Sequence, residues 1–142
     1  MSLHTLKPFL LLSPFLFAGC GEELGPERLP TTSVDGRVQF RGRPIGPGWV
    51  EFAPVDGAVG LVSSARLQAD GTFHAARVPV GMVGMRLAGV RLPDAGDPSI
   101  NRYLFLTTQA NLIHRRVDAS RTNAIDVDLA VEAARSSREL PR

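Results

Sequence analysis

The chain is poor in the side chains that most often carry chemistry. Its 142 residues include one cysteine and three histidines, which are His4, His74 and His114. A single cysteine excludes a disulfide within one copy of the chain. The histidines form no HxH or HExxH pattern, and no GxSxG nucleophile motif occurs. The sequence therefore predicts no catalytic residue, no metal site and no cofactor.

Lysine is almost absent, and this bears on the possible partners. Lys7 is the only lysine, so the rest of the chain carries fifteen arginines against fourteen acidic residues. A balance this close to neutral gives little electrostatic attraction to nucleic acid. Arg115 and Arg116 form the only adjacent basic pair, and no basic run interleaved with aromatic residues occurs. We therefore expect no nucleic-acid partner.

Long hydrophobic runs are also missing, except for one near the start of the chain. Lys7 is followed by an apolar segment from Pro8 to Ala18, which Pro14 interrupts. A helix needs about 20 residues to cross a bilayer, so this segment is too short for a permanent span. One cation before a short apolar segment is instead typical of an export signal.

The residues that follow this segment resemble a bacterial lipoprotein signal. Ala18-Gly19-Cys20 is similar to the lipobox, in which small residues precede a cysteine that becomes lipidated, and Phe17 stands where leucine is usual. The resemblance implies removal of a signal peptide, 1–19, and a lipid anchor on Cys20. It also implies a bacterial cell-envelope location, at the outer membrane or the periplasmic face. The alternatives are an ordinary secretory signal with an incidental cysteine, or a buried thiol.

Composition divides the rest of the chain into three parts. Residues 20–32 are polar and contain two prolines and two glycines, so we expect a flexible tether. Residues 133–142 are charged, and we expect a disordered tail. The segment between them, 33–132, has about 100 residues, which is enough for one domain.

Within this domain the apolar residues alternate with polar ones, as in strands that bury one face. The clearest case is Asn123–Glu132, in which the large apolar residues occupy alternate positions. The pair Asp70-Gly71 can adopt the positive φ angles that a tight hairpin turn requires, so two antiparallel strands should meet there. About seven short strands separated by turn signals predict an all-β fold, an antiparallel Greek-key β-sandwich.

Three short motifs follow one another at a characteristic spacing. They are VDGRV at Val34–Val38, DGTF at Asp70–Phe73 and VPVG at Val78–Gly81. Together they resemble carboxypeptidase regulatory-like domains, which are transthyretin-like (prealbumin-like) sandwiches, although Met82 stands where that family commonly has an aromatic residue. The resemblance covers Val34–Leu87 and implies a fold, not a chemistry.

Trp49 is the only tryptophan, and it lies in a predicted strand beside Val50 and Phe52. In a regular strand its side chain should face away from theirs. It would then either cover a sheet edge or stand exposed as a contact for a partner or a glycan.

From these observations we expect a noncatalytic, lipid-anchored envelope module with a binding or structural role. Its expected partners are the membrane, through the anchor, and an envelope protein or glycan. One alternative is a glycan-binding module that uses Trp49. The other is a degenerate hydrolase, because hydroxyisourate hydrolase is a catalytic relative of the transthyretin-like fold. The C-terminal tyrosine-arginine-glycine-serine signature of that enzyme is absent here, where the chain ends in SRELPR.

Overall fold

The computed structural model describes residues 29–92, 103 and 113–139. Most of the described chain is strand, which confirms the all-β prediction. The elements are β1 (Thr31–Phe40), β2 (Arg43–Pro44), β3 (Gly48–Pro54), β4 (Ser63–Leu67), β5 (Thr72–Pro79), β6 (Gly81–Ala88), β7 (Ile113–Val117), β8 (Asn123–Asp128) and the helix α1 (Leu129–Glu139).

The strands form one hydrogen-bonded sheet in the order β2-β1-β5-β4-β3-β6-β7, and β8 also pairs with β1. All neighbours are antiparallel except β1 and β8, which run parallel, with Val34 opposite Asn123. The predicted antiparallel arrangement therefore has one exception, because the chain reaches β8 by crossing from β7 and not by a hairpin from β1. Within the described residues, β7 pairs only with β6 and β8 only with β1, so both are edge strands.

A single hydrophobic cluster fills the concave side of this sheet. It contains residues from both ends of the strand order, such as Val38 and Val127 at one end and Met85 and Val117 at the other. Residues 118–122 connect β7 directly to β8, although these strands lie at opposite ends of the sheet. Both observations require the sheet to curl, so that its two ends face each other across the core.

The hairpin turn predicted at Asp70-Gly71 lies between β4 and β5. Gly71 has a φ of 79°, a left-handed conformation that glycine adopts without strain. Asp70 accepts hydrogen bonds from the Thr72 hydroxyl at 2.7 Å and from the Thr72 backbone N–H at 3.0 Å. These bonds hold the pKa of the Asp70 carboxyl below its ordinary value of 3.8. The turn sets the register in which Leu67 of β4 lies opposite Phe73 of β5.

The C-terminal segment differs from its prediction. The alternating pattern predicts a strand as far as Glu132 and a disordered tail over 133–142, but β8 ends at Asp128 and the chain is helical to Glu139. The reason is the Asp128 carboxylate, which accepts a hydrogen bond from the Ala130 N–H at 2.9 Å and so caps the first turn of α1. Leu129 is still buried in the core, now from the helix.

The same carboxylate joins α1 to the turn between β1 and β2. Asp128 accepts hydrogen bonds from the backbone N–H groups of Arg41, at 3.1 Å, and Gly42, at 3.0 Å. One side chain therefore fixes both the start of the helix and the turn that precedes β2.

At the other side of the sheet, α1 reaches the edge strand β7. Arg115 on β7 lies opposite the buried Val83 of β6 and therefore faces the core side. It donates a hydrogen bond to Glu132 of α1 at 2.7 Å, and Arg135 donates a second one at 3.0 Å. The Glu132 side chain is only 11% exposed. The helix thus begins at one edge strand and is held by an ion pair to the other.

At the N-terminal side, β1 begins at Thr31, so the last two residues of the predicted tether 20–32 are strand. The signal peptide 1–19 and Cys20 lie outside the described residues. Within those residues, no helix combines the length and the apolar character that crossing a bilayer requires.

Candidate functional site

Trp49 lies on the convex face of the sheet. Its neighbours Val50 and Phe52 are fully buried, so strand alternation turns Trp49 outward, as predicted, and leaves it 50% exposed. The strand that carries it, β3, pairs with β4 on one side and β6 on the other. Trp49 is therefore in the middle of the sheet and covers no edge, which corrects that interpretation of the sequence.

The residues opposite Trp49 leave its indole accessible. Arg66 lies opposite it on β4 and is exposed, and Ala88 lies opposite it on β6. An alanine side chain is too small to cover an indole plane. The indole is thus half exposed on a face that also carries the exposed side chain of Arg66.

A fixed ion pair lies next to the tryptophan on the same face. Glu51 is two residues along β3 and so points to the same side of the sheet as Trp49. Arg86, opposite it on β6, donates from Nε to Glu51 Oε2 at 2.7 Å and makes a second contact through Nη2. Both side chains are more than half buried, so the pair is held against the sheet. Ser64 lies opposite Glu51 on β4.

We refer to these residues as the Trp49 face, which comprises Trp49, Glu51, Ser64, Arg66, Arg86 and Ala88. It combines the exposed aromatic surface of Trp49 with side chains that donate and accept hydrogen bonds. An indole plane stacks on the apolar surfaces of side chains and sugars, and tryptophan and arginine are the residues most enriched at binding hot spots. The arrangement is suited to recognition.

The two histidines inside the described ranges lie on different strands. His74 Nδ1 on β5 is 2.7 Å from an Asp35 carboxylate oxygen on β1, and His114 Nδ1 on β7 is 3.9 Å from one of Asp56. Four strand-to-strand steps separate β5 from β7 in the sheet, and both histidine side chains are exposed on its outer face. The structure therefore does not bring His74 and His114 together. His4 lies outside the described ranges.

No group of three His, Cys, Asp or Glu side chains that could hold a metal ion occurs in the part of the chain that the structure describes. The two histidine–aspartate pairs are exposed on the surface, where an ion pair contributes little to stability.

Glu51 and Arg86 were not predicted as members of the site. The position of Glu51, two residues after Trp49 in an alternating segment, already places both on one face. The role of Arg86 depends on the register between β3 and β6, which no local pattern in the sequence reveals. Cys20, the predicted lipidation site, lies outside the described residues.

Comparisons with known proteins give few relatives. No family model matches the chain, and no curated protein matches it. Two similar solved structures are DUF3823 family proteins, one from Bacteroides ovatus at 13% identity and one from Parabacteroides merdae at 15%, each with a TM-score of 0.42. Each alignment covers 70% of this chain, and 44% and 46% of those chains respectively. The chain thus spans less than half the length of either protein.

Proposed function

We propose that this protein is a noncatalytic, lipid-anchored module of the bacterial cell envelope that binds an envelope partner through the Trp49 face. The observation that carries the proposal is the half-exposed indole of Trp49 on a strand that is paired on both sides. Binding that removes this side chain from water is favourable, because it buries apolar surface that folding leaves exposed. Its location on an interior strand, with paired strands on both sides, also suits the core of an interface.

The proposed anchor is an acyl chain on Cys20. It is supported by the short apolar segment after Lys7 and by the small residues before the cysteine. Pro30, just before β1, is ten positions after Cys20 in the sequence. Fully extended, the segment from Cys20 to Pro30 would span at most about 35 Å, so the anchor would keep the domain near the membrane surface.

The proposed architecture is that of a two-layered transthyretin-like sandwich with Greek-key connections, of the carboxypeptidase regulatory-like family. It is supported by the weak pairing of β4 with β5, which is limited to Leu67 and Phe73 beside the turn. That break divides the strands into one layer of β8, β1, β2 and β5 and another of β4, β3, β6 and β7. The buried residues of both layers belong to one core cluster.

The Trp49 face would lie at a distance from the anchored end of the domain. The chain enters β1 beside the turn between β5 and β6, where the Val80 N–H donates to the Pro30 carbonyl. The far end of β3 lies at this same end of the domain, since the Val55 N–H donates to the Met82 carbonyl. Trp49 is five residues back along β3, about 17 Å at roughly 3.4 Å per residue. A partner in the envelope could thus contact Trp49 while the anchored end of the domain stays at the membrane.

A glycan is the second candidate for the bound partner. It is favoured by the fixed Glu51 and Arg86 side chains beside the indole. Sugars are bound by stacking of an apolar ring face on an aromatic plane together with hydrogen bonds to hydroxyl groups. The Trp49 face offers both kinds of contact on one side of the sheet.

The test is cross-linking in living cells. The full chain would carry a photoreactive amino acid at position 66, opposite Trp49, and irradiation should yield a discrete adduct. Trp49→Ala should lower the adduct yield about tenfold or more, because a hot-spot tryptophan contributes about 2 kcal/mol or more. Mass spectrometry of the adduct then distinguishes an envelope protein from a glycan.

Val131→Ala is the matched control, since Val131 is a similarly exposed apolar residue, on α1. Its adduct yield should equal that of the unsubstituted chain. An unchanged yield in Trp49→Ala, or no adduct at all, would remove the Trp49 face from the proposal.

A further inference from the structure

We infer that the loop between β3 and β4 rests in the membrane surface, so that the domain contacts lipid directly as well as through its anchor. This inference rests on the proposed anchor at Cys20. The loop comprises residues 55–62, and we call it the apolar loop. Its side chains Val59, Leu61 and Val62 are 63%, 80% and 64% exposed. They are three of the five large hydrophobic side chains that the described part of the chain leaves in solvent.

The apolar loop has a defined position on the domain. The Ala58 N–H donates to the Val55 carbonyl at 3.0 Å, which closes a turn at its start. Gly60 packs so closely on Pro79 that a Cβ at Gly60 would lie 2.6 Å from the proline ring. The loop backbone thus packs against Pro79 at Gly60, while the side chains on either side, Val59 and Leu61, are exposed.

The lipid surface is identified by where the chain enters the domain. Pro79 contacts Gly60, and the next residue, Val80, donates its N–H to the Pro30 carbonyl. The β5–β6 turn therefore lies between the apolar loop and the segment that leads back to Cys20. That cysteine is ten positions before Pro30 in the sequence. A lipid attached there would hold this end of the domain closest to the bilayer.

The charges at this end favour an apolar contact over an electrostatic one. The side chains near the β5–β6 turn are of both signs: exposed arginines at 77, 116 and 121 are accompanied by Asp56 and Asp118. Such a mixture gives no strong attraction to anionic headgroups. Valine and leucine side chains instead enter the boundary between headgroups and acyl chains, as in interfacial segments of peripheral proteins. The contact should therefore persist at high salt.

The test places a fluorophore on the apolar loop. Cys20 is the only cysteine, and acylation would block its thiol, so Leu61→Cys provides the one free thiol of the lipidated full-length protein. That thiol is labelled with a polarity-sensitive dye, and the protein is reconstituted into vesicles of phosphatidylethanolamine and phosphatidylglycerol. Ala69→Cys is the matched control, since Ala69 is exposed beside the β4–β5 turn, at the opposite end of the domain.

We expect the dye at position 61 to emit at shorter wavelength than the dye at position 69. Lipids with a spin label on the acyl chain should quench it several-fold more strongly, both at low salt and in 1 M salt. Equal emission and equal quenching at the two positions would overturn the inference. A blue shift without quenching by lipid would also overturn it, because a protein or a second copy of the chain would then cover the loop.

The anchor itself is checked in the same experiment. If the unsubstituted protein from membranes takes up the dye, its Cys20 thiol is free, and both the anchor and the inference that rests on it are wrong. If that protein stays unlabelled while position 61 reports water, the anchor stands and only the lipid contact of the loop is wrong.

Discussion

Asp128 accepts hydrogen bonds from three backbone N–H groups that belong to two different parts of the fold. The Ala130 N–H lies in the first turn of α1, and those of Arg41 and Gly42 lie in the turn between β1 and β2. A helix leaves its first N–H groups without partners inside the helix, and an aspartate at the capping position supplies one. The change from strand to helix at this residue is therefore a property of its carboxylate.

Asp128→Ala should lower the free energy of unfolding by about 1–2 kcal/mol, the usual range for loss of a capping side chain. Denaturant unfolding followed by the fluorescence of Trp49 would measure it as a lower midpoint at constant slope. Asp128→Asn keeps one acceptor oxygen and should cost less.

Asp126→Ala is the matched control, since Asp126 lies two residues earlier on the same strand and is exposed. It should change the free energy of unfolding by no more than about 0.5 kcal/mol. Equal effects at 126 and 128 would show that the cap contributes nothing.

At the scale of elements, α1 connects the edge strands β8 and β7. It follows directly from β8, buries Leu129 in the core and reaches β7 through Glu132 and Arg115. Exposed edge strands offer unpaired backbone groups to other chains, and a charged side chain that points inward is one way in which proteins block such pairing. Arg115 is such a residue, and Glu132 neutralises its charge where both side chains are mostly out of water.

Glu132→Ala should destabilise the protein by about 1–3 kcal/mol, because it removes the carboxylate partner of the mostly buried Arg115 guanidinium and leaves it only the His114 carbonyl as acceptor. A double-mutant cycle with Arg115→Ala should show that the two effects are not additive. Arg116→Ala is the matched control, because Arg116 is the next residue of β7 and its side chain is 78% exposed. It should cost less than about 0.5 kcal/mol. Additive effects of Glu132→Ala and Arg115→Ala would mean that α1 is held by its apolar contacts alone.

The sequence predicted the strands well, because each buries one face and so repeats every second residue. The helix α1 was not predicted, for the same reason. Leu129 and Val131 continue the alternation of β8, and only the capping bond of Asp128 ends it. Of the candidate site, the outward direction of Trp49 was predictable from its buried neighbours. Arg86 was not, since its place beside Glu51 depends on a pairing between strands that are distant in the sequence.

At the scale of the whole molecule, the features proposed for function lie at two ends of one sheet. The apolar loop and the entry of the chain at Pro30 are at one end, and Trp49 is near the other end of β3. A module of this form would present the Trp49 face outward while its opposite end lies on the membrane. We propose that Cys20 attaches the protein and that Trp49 recognises its partner, so the two functions should be separable by substitution.

Cys20→Ser should move the protein from the membrane fraction of cells to the soluble fraction. Each acyl CH₂ group buried in the bilayer contributes about 0.8 kcal/mol to membrane binding. The three partly inserted side chains of the apolar loop contain far fewer such groups, so they cannot replace the binding free energy of the acyl chains. Gly21→Ser, which leaves the thiol in place, should remain in the membrane fraction.

Cys20→Ser should still give the Trp49-dependent adduct in cells if its partner is soluble in the envelope, and should lose it if the partner is confined to the membrane. Membrane association that survives Cys20→Ser would show that this thiol is not the anchor, and the two-ended arrangement would then lose its attachment point.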